Sequence, residues 1–297
     1  MTGRLQVFYR EEMTVTESFE SIVESARKPG LFVEAAGPSI EVVSFEPLTR
    51  EEISVCHPRR HVDRVLDGFW NNGYRNAVQS LNRAISFECG SFYAAAVGAL
   101  DSRITMSPSI GFHHADFGEC WNFCSFNGLT IAALLMNQRG QAQRVGIIDF
   151  DCHWGNGTDA IMERLGLDFI THYTFGKFKR TVRKGMCFDR WLDDLPTILD
   201  ERFRTCEILY YQAGVDARID DQFGGELTTA QLHRRDRIVF EFAHSKQIPL
   251  VWNLAGGYQN PYSKVIELHL STLATCLEVY GLEGRCDEGR PERSGGG

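Results

Sequence analysis

Residues 144–158 read RVGIIDFDCHWGNGT. The run at 145–148 is apolar without polar alternation, as expected of a strand covered on both faces. It ends in Asp149, Asp151 and His153, followed by Gly155, Asn156 and Gly157. Strand residues at i and i+2 project to the same side, so Asp151 and His153 can share one ion. Comparable short runs lie at 41–45, 84–87, 168–173, 207–212 and 248–254. Between several of them lie helix-length amphipathic stretches, at 129–138, 228–245 and 261–280. Continuous apolar strands alternating with helices predict an α/β fold with a parallel sheet.

In open α/β sheets, ligands bind at the carboxyl ends of the strands. After 208–211 comes Gln212-Ala213-Gly214-Val215-Asp216, after 251–254 comes Ala255-Gly256-Gly257-Tyr258, and after 108–110 comes Gly111-Phe112-His113-His114. Asp216 can complete a three-residue set with Asp151 and His153. Three protein ligands and an open position is the catalytic arrangement for zinc, although oxygen and nitrogen ligands also admit Fe(II), Co(II) or Mn(II). An isolated Asp-x-His more often caps a helix; the convergence of four strand ends outweighs that reading. His113 and His114 are candidate proton acceptors and donors, with Asp149 and Asn156 near enough in sequence to fix their tautomers. Tyr258, behind two glycines, can offer a phenol to a carbonyl or an oxyanion.

The 297 residues are 43% hydrophobic and 24% charged, which excludes collagen-like and disordered classes. The balance of 31 Lys+Arg against 39 Asp+Glu, without a basic block, argues against a nucleic-acid partner. No apolar stretch reaches the roughly 18 residues of a membrane span. The opening MTGRLQVFYREEM has no apolar signal core, so a cytoplasmic location is expected. The nine cysteines are scattered without a CxxC pair and read as reduced thiols, Cys120 and Cys124 included. Residues 1–283 are taken as one catalytic domain and 284–297 as a disordered Gly/Arg-rich tail. Apolar helix faces leave a homo-oligomer open.

The stretches GFHHADFGECWNFCSFNGLTIAALL (111–135), RVGIIDFDCHWGNGT, YYQAGVDARIDDQFGGELTTAQLHRRDRIVF (210–240) and WNLAGGYQNP (252–261) resemble the histone deacetylase superfamily of zinc amidohydrolases, particularly its bacterial members. Several separated motifs in one order make a specific resemblance. It implies a three-layer α/β/α arginase/deacetylase-like fold with a mostly parallel eight-stranded sheet. It further implies one zinc on Asp151, His153 and Asp216, a general base/acid pair in His113 and His114, and Tyr258 on the scissile carbonyl. Asp149 and Asn156 stand behind the two histidines. Phe123, Phe223 and Gly257 are assigned to substrate binding, with Phe178 a candidate second wall of the channel. The substrate class implied is acyl-lysine or a small acylated amine, although Phe223 offers no charge to a polyamine.

The sequence departs from the family at several points. Asn122 replaces the usual glycine and Trp154 the second histidine of HHG, and 175–185 lacks the PGTG turn. The family's structural potassium would use Asp149 and main-chain oxygens, but Ile170 stands where a hydroxyl is usual. An arginase-like ureohydrolase would need further carboxylates where Gly155 and Gly214 stand. A metal-binding but inactive recognition protein is the other alternative, and the presence of every catalytic position ranks it lower.

Overall fold

The structure is a computed structural model describing residues 3–17, 24–182 and 188–283. The tail at 284–297, Cys187, Cys286 and part of the 175–185 segment therefore lie outside the described residues. Seven strands form one sheet: β1 (Leu5–Phe8), β2 (Ile40–Val43), β3 (Ile104–Ser107), β4 (Val145–Asp149), β5 (Ile170–Thr174), β6 (Ile208–Gln212) and β7 (Leu250–Asn253). Their order is β2-β1-β3-β7-β6-β4-β5, and every pairing is parallel. The α/β/α architecture holds, with seven described strands instead of the eight expected.

Each face of the sheet carries its own apolar cluster. One gathers Phe92, Phe112, Leu129, Ile147 and Tyr210 beneath the helices Gln79–Ser102 and Gly128–Gln138. The other gathers Phe150, Trp191, Tyr211, Phe240 and Trp252 beneath Asp189–Phe203, Thr229–Lys246 and Ser263–Tyr280. β3, β4, β6 and β7 are buried along their whole length. Two-sided cover explains why these strands lack alternation.

The run at 84–87 is not a strand. It lies inside the 24-residue helix Gln79–Ser102, whose buried Leu81, Ala84, Ile85, Phe92, Ala95, Ala96 and Ala99 recur at helical spacing. A four-residue apolar run cannot distinguish strand from buried helix. The sequence reading assigned no run to β1, and it placed the end of β3 at 108–110, just past the strand's observed 104–107. The helix Thr229–Lys246 starts where the hydroxyl residues predicted. Thr228 and Gln231 form a reciprocal capping box that satisfies two backbone donors.

The central rung of the sheet aligns the strand ends. Ser107 pairs with Asn253, Asn253 with Gln212, and Gln212 with Asp149. Four neighbouring strands thus end in step, and the loops leaving them meet in one place. Phe92 locks this region from one face, with rings of Phe112 and Tyr210 at 5.6 Å and 5.1 Å. Phe92→Ala is expected to cost about 3–5 kcal/mol of unfolding free energy, as for other large buried aromatics. Chemical denaturation checks this, and a loss under about 1 kcal/mol would contradict the packing described.

Candidate metal centre and active site

The loops after β3, β4, β6 and β7 line a cavity of about 690 Å³. His113, His114, Asp151, His153 and Tyr258 all face it, as do Phe123 and Phe223. Asp216 lies behind the wall with no exposed surface.

Ligand atoms of Asp151, His153 and Asp216 lie within 4.8 Å of one another. His153 Nε2 donates to the Phe223 carbonyl at 2.8 Å, which aims Nδ1 at the two carboxylates. Nδ1 stands 3.0 Å from Asp151 Oδ1 and 2.9 Å from Asp216 Oδ2. Beyond that contact, buried Asp216 Oδ2 has no hydrogen-bond donor among the described residues. Burial and the neighbouring Asp151 charge push the Asp216 carboxyl up to about 7. Burial pulls His153 down, but the two carboxylates outweigh it and hold it at about 11. An arrangement that raises a carboxyl and retains a proton on an imidazole is short of positive charge. A divalent cation on this carboxylate–imidazole–carboxylate set would supply it, so the residues fit a metal.

The two histidines behind the cavity are individually anchored. His113 Nδ1 meets Asp149 Oδ2 at 2.7 Å, and His114 Nδ1 meets Asn156 Oδ1 at 2.7 Å. Asp149 Oδ1 accepts from Gln212 Nε2 at 2.9 Å and from the Asp151 amide at 3.2 Å. Burial lowers His113, but Asp149 and Asp151 overcome it and raise the imidazole to about 9. His114 has no carboxylate of its own, and burial together with His113 lowers it to about 4. Two rings 4.1 Å apart thus favour different charge states.

Tyr258 is fixed through its backbone, whose N–H donates to Asp221 Oδ2 at 2.7 Å. Its ring stands 5.7 Å from Phe123 and 5.1 Å from Phe223. Burial and the charges of Asp151 and Asp216 push the phenol well above its ordinary range, so it stays a donor. Two glycines before it allow the approach. Gly256 lines the cavity at φ 55°, and a Cβ there would meet the Asp216 carboxylate at 2.5 Å. Gly257 packs instead against Val265 and Val215, so the glycine facing the cavity is Gly256 rather than the expected Gly257.

The residues that depart from the family pattern have physical accounts. Trp121 and Cys124 exchange backbone hydrogen bonds across a two-residue turn, with Asn122 at φ 42° and Phe123 at φ 68°. Asparagine tolerates this left-handed geometry in place of glycine, whereas phenylalanine there is strained. The Phe123 N–H donates to the Gly73 carbonyl at 2.9 Å, which helps hold it. Trp154 donates Nε1 to Asp159 Oδ2 at 2.8 Å, and Asp159 also receives His172 Nδ1 at 2.7 Å. Phe178 packs on Phe175 and Trp191, away from the residues lining the cavity, so it is not the second channel wall. Cys120 and Cys124 are free thiols that donate to the carbonyls of Ser125 and Gly111.

Three further residues support the site without having been singled out in the sequence. Gln212 supports Asp149, and its place at the end of β6 was a readable signal. Lys28 lines the cavity although fully buried, and its Nζ donates to the Gly256 carbonyl at 2.5 Å. Nothing in the local sequence marks it. Asp221, which anchors Tyr258, was equally silent.

Comparison with known proteins gives the following likenesses. Residues 13–170 match the histone deacetylase domain. The chain is similar to an uncharacterized protein of Picosynechococcus, 28% identical over 61% of this chain and 65% of that protein. It is also similar to histone deacetylase 2 of Arabidopsis thaliana, 29% identical over 55% of this chain and 46% of that protein. These matches span less than two thirds of either relative's length. The crystal structure of the HDA15 HD domain superposes with a TM-score of 0.68 over 94% of this chain and 95% of that one, at 20% identity, a likeness of fold. No helix among the described residues is long and apolar enough to cross a membrane.

Replacing one member of the Asp151–His153–Asp216 set should leave the sheet intact but empty the centre. Asp216→Asn is expected to lower retained metal at least about tenfold, measured by mass spectrometry after dialysis, with an unchanged circular dichroism spectrum. Full metal retention would remove Asp216 from the ligand set.

Proposed function

The chain belongs to the histone deacetylase family, and on that basis we propose that it is a zinc-dependent amidohydrolase. Its substrate would be an acylated amine, acyl-lysine or a small acylated amine, with acetyl as the leading acyl group. The observation that carries this reading is the buried convergence of Asp151, His153 and Asp216 on one point, beside two separately anchored histidines.

Asp151, His153 and Asp216 would hold the zinc, which when bound acidifies water and polarises a carbonyl. His113 and His114 accept a proton from the attacking water and return one to the leaving nitrogen. Their opposed charge preferences supply an acid and a base side by side. Asp149 and Asn156 orient the two rings for these transfers. Tyr258, kept protonated, donates to the oxygen on which negative charge develops. Phe123 and Phe223 flank it and exclude water from the acyl chain.

A ureohydrolase is disfavoured by space as well as by sequence. A Cβ on Gly155 would sit 2.5 Å from Asp149 Oδ2, and one on Gly214 would sit 2.4 Å from the Asp151 Cα. There is no room for the extra carboxylates of a two-metal site. On structural potassium the register corrects one expectation: Ile170 pairs with Val145, and the residue paired with Asp149 is Thr174, whose Oγ1 accepts from the Gly155 amide at 3.2 Å, so a hydroxyl does stand there. No role in this reading rests on that ion.

Purified protein is expected to carry about one zinc per chain and to deacylate a fluorogenic acetyl-lysine amide in a hydroxamate-sensitive manner. Two manganese ions per chain would overturn the single-metal reading, and absence of turnover across an acyl-amide panel would overturn the enzyme. Tyr258→Phe should lower kcat by about 10²–10³-fold, as for loss of an oxyanion donor. Near-normal turnover would remove Tyr258 from that role.

A further inference from the structure

We propose that this site, read as a deacylase, selects acylated amines that carry an anionic group on the amine side, and that Arg75 at the mouth recognises that group. Among the described residues, the formally charged side chains lining the cavity are Lys28, Arg75 and Asp151. Asp151 belongs to the metal set, and Glu88, Asp216 and Asp221 are buried behind the wall. Lys28 is buried and engaged by the Gly256 carbonyl, so what the described lining offers an incoming substrate is the guanidinium at the entrance. This runs against the net charge of −8 on the chain, so it is local design rather than background.

Arg75 is exposed, and no ion pair to it occurs among the described residues. Its backbone is held in place. It stands at φ 61°, an uncommon conformation for arginine that persists where surrounding bonds over-determine it. Those bonds come from buried Asn72. Its Nδ2 donates to Asn76 Oδ1 and to Asn82 Oδ1, both at 2.9 Å, and its Oδ1 accepts from the Tyr74 amide at 2.9 Å. The Asn72 N–H also donates to the Asn76 carbonyl at 2.7 Å. Gly73 joins this turn to the Phe123 wall: a Cβ there would meet the Cys124 backbone at 2.6 Å.

A second hollow of about 300 Å³ shares Gly73, Arg75 and Asn122 with the main cavity. Trp70 and Trp121, 40% and 47% exposed, flank it. Glu119, the acid on this hollow, already accepts from Trp121 Nε1 at 3.1 Å. An apolar surface beside a guanidinium with no ion pair among the described residues suits the body of an amine bearing a carboxylate or a phosphate. The same guanidinium repels polyamines and basic peptide tails, and Phe223 brings no countercharge.

The test compares Nα-capped Nε-acetyl-lysine as its free acid, its carboxamide and a dimethylaminoethyl amide. A phosphonate in place of the carboxylate separates the two anion classes. For the holoenzyme, kcat/KM is expected to favour the acid over the carboxamide by about tenfold, in line with a charge-assisted hydrogen bond. The cationic amide should be poorest, and the spread should narrow as salt rises. Arg75→Gln should bring the acid-to-carboxamide ratio to about one, and Arg75→Glu should invert it. Because the ratio is internal to each variant, a partly misfolded preparation does not disturb it. An equal ratio in the parent and Arg75→Gln, or a parent preference for the cation, overturns the proposal. If no member of the panel turns over, the deacylase reading fails separately. Calorimetry with the unreactive methyl-ketone analogues, as acid and as carboxamide, then still decides the role of Arg75, and equal Kd values for the two overturn it.

Discussion

The arrangement of this site depends on Asp149, a carboxylate with no exposed surface at the end of a central strand. Burying such a group is costly unless it is paired and hydrogen-bonded. Here His113, Gln212 and the Asp151 amide satisfy it together. Each partner belongs to a different part of the site. His113 follows β3, Gln212 ends β6, and the Asp151 amide opens the loop that carries Asp151 and His153. One buried charge thus sets the relative positions of His113 and the Asp151–His153–Asp216 group. The sheet register makes this available, since Asp149 and Gln212 are direct cross-strand partners.

The second constraint is electrostatic. Asp151 and Asp216 face one another with a single imidazole between them, and both are buried. Folding delivers them there through tight backbone approaches. Gly214 lies against the Asp151 backbone and Gly256 against the Asp216 carboxylate, where no larger residue fits. The chain therefore brings two carboxylates together about one imidazole, an arrangement that a cation would balance. Arg235 steadies the scaffold from behind. It is fully buried, and its Nη1 donates to the carbonyls of Phe150 and Gly214 at 3.0 Å and 2.7 Å.

Much of this was legible in the sequence because the chemistry sits where the strands stop. Asp151, His153, Asp216, His113, His114 and Tyr258 each come after an apolar run, and the parallel sheet gathers such ends by construction. The family resemblance added roles to residues that position alone had singled out. What stayed hidden has a common cause. Lys28 acts 228 residues away from its partner Gly256, and Asp221 reaches Tyr258 across 37 residues. Contacts of this kind leave no local pattern. The misread run at 84–87 failed for a different reason, since four apolar residues are too few to separate a helical period from a strand. Gly257 and Phe178 were displaced by packing details, one glycine register and one aromatic stack, that no spacing encodes.

The position of β7 has a consequence for how the molecule comes into being. The last of the described strands lies between β3 and β6, in the middle of the sheet. Until residues 250–253 have been synthesised, the earlier strands can form two separate half-sheets, each with an unpaired edge facing the gap. The loop carrying Tyr258 emerges later still. A nascent chain thus presents open strand edges late in its synthesis, a stage at which such edges invite pairing with other chains. Closure of the sheet and completion of the cavity are the same event, so a chain stopped short of β7 lacks more than a segment: it lacks the seam that joins its halves.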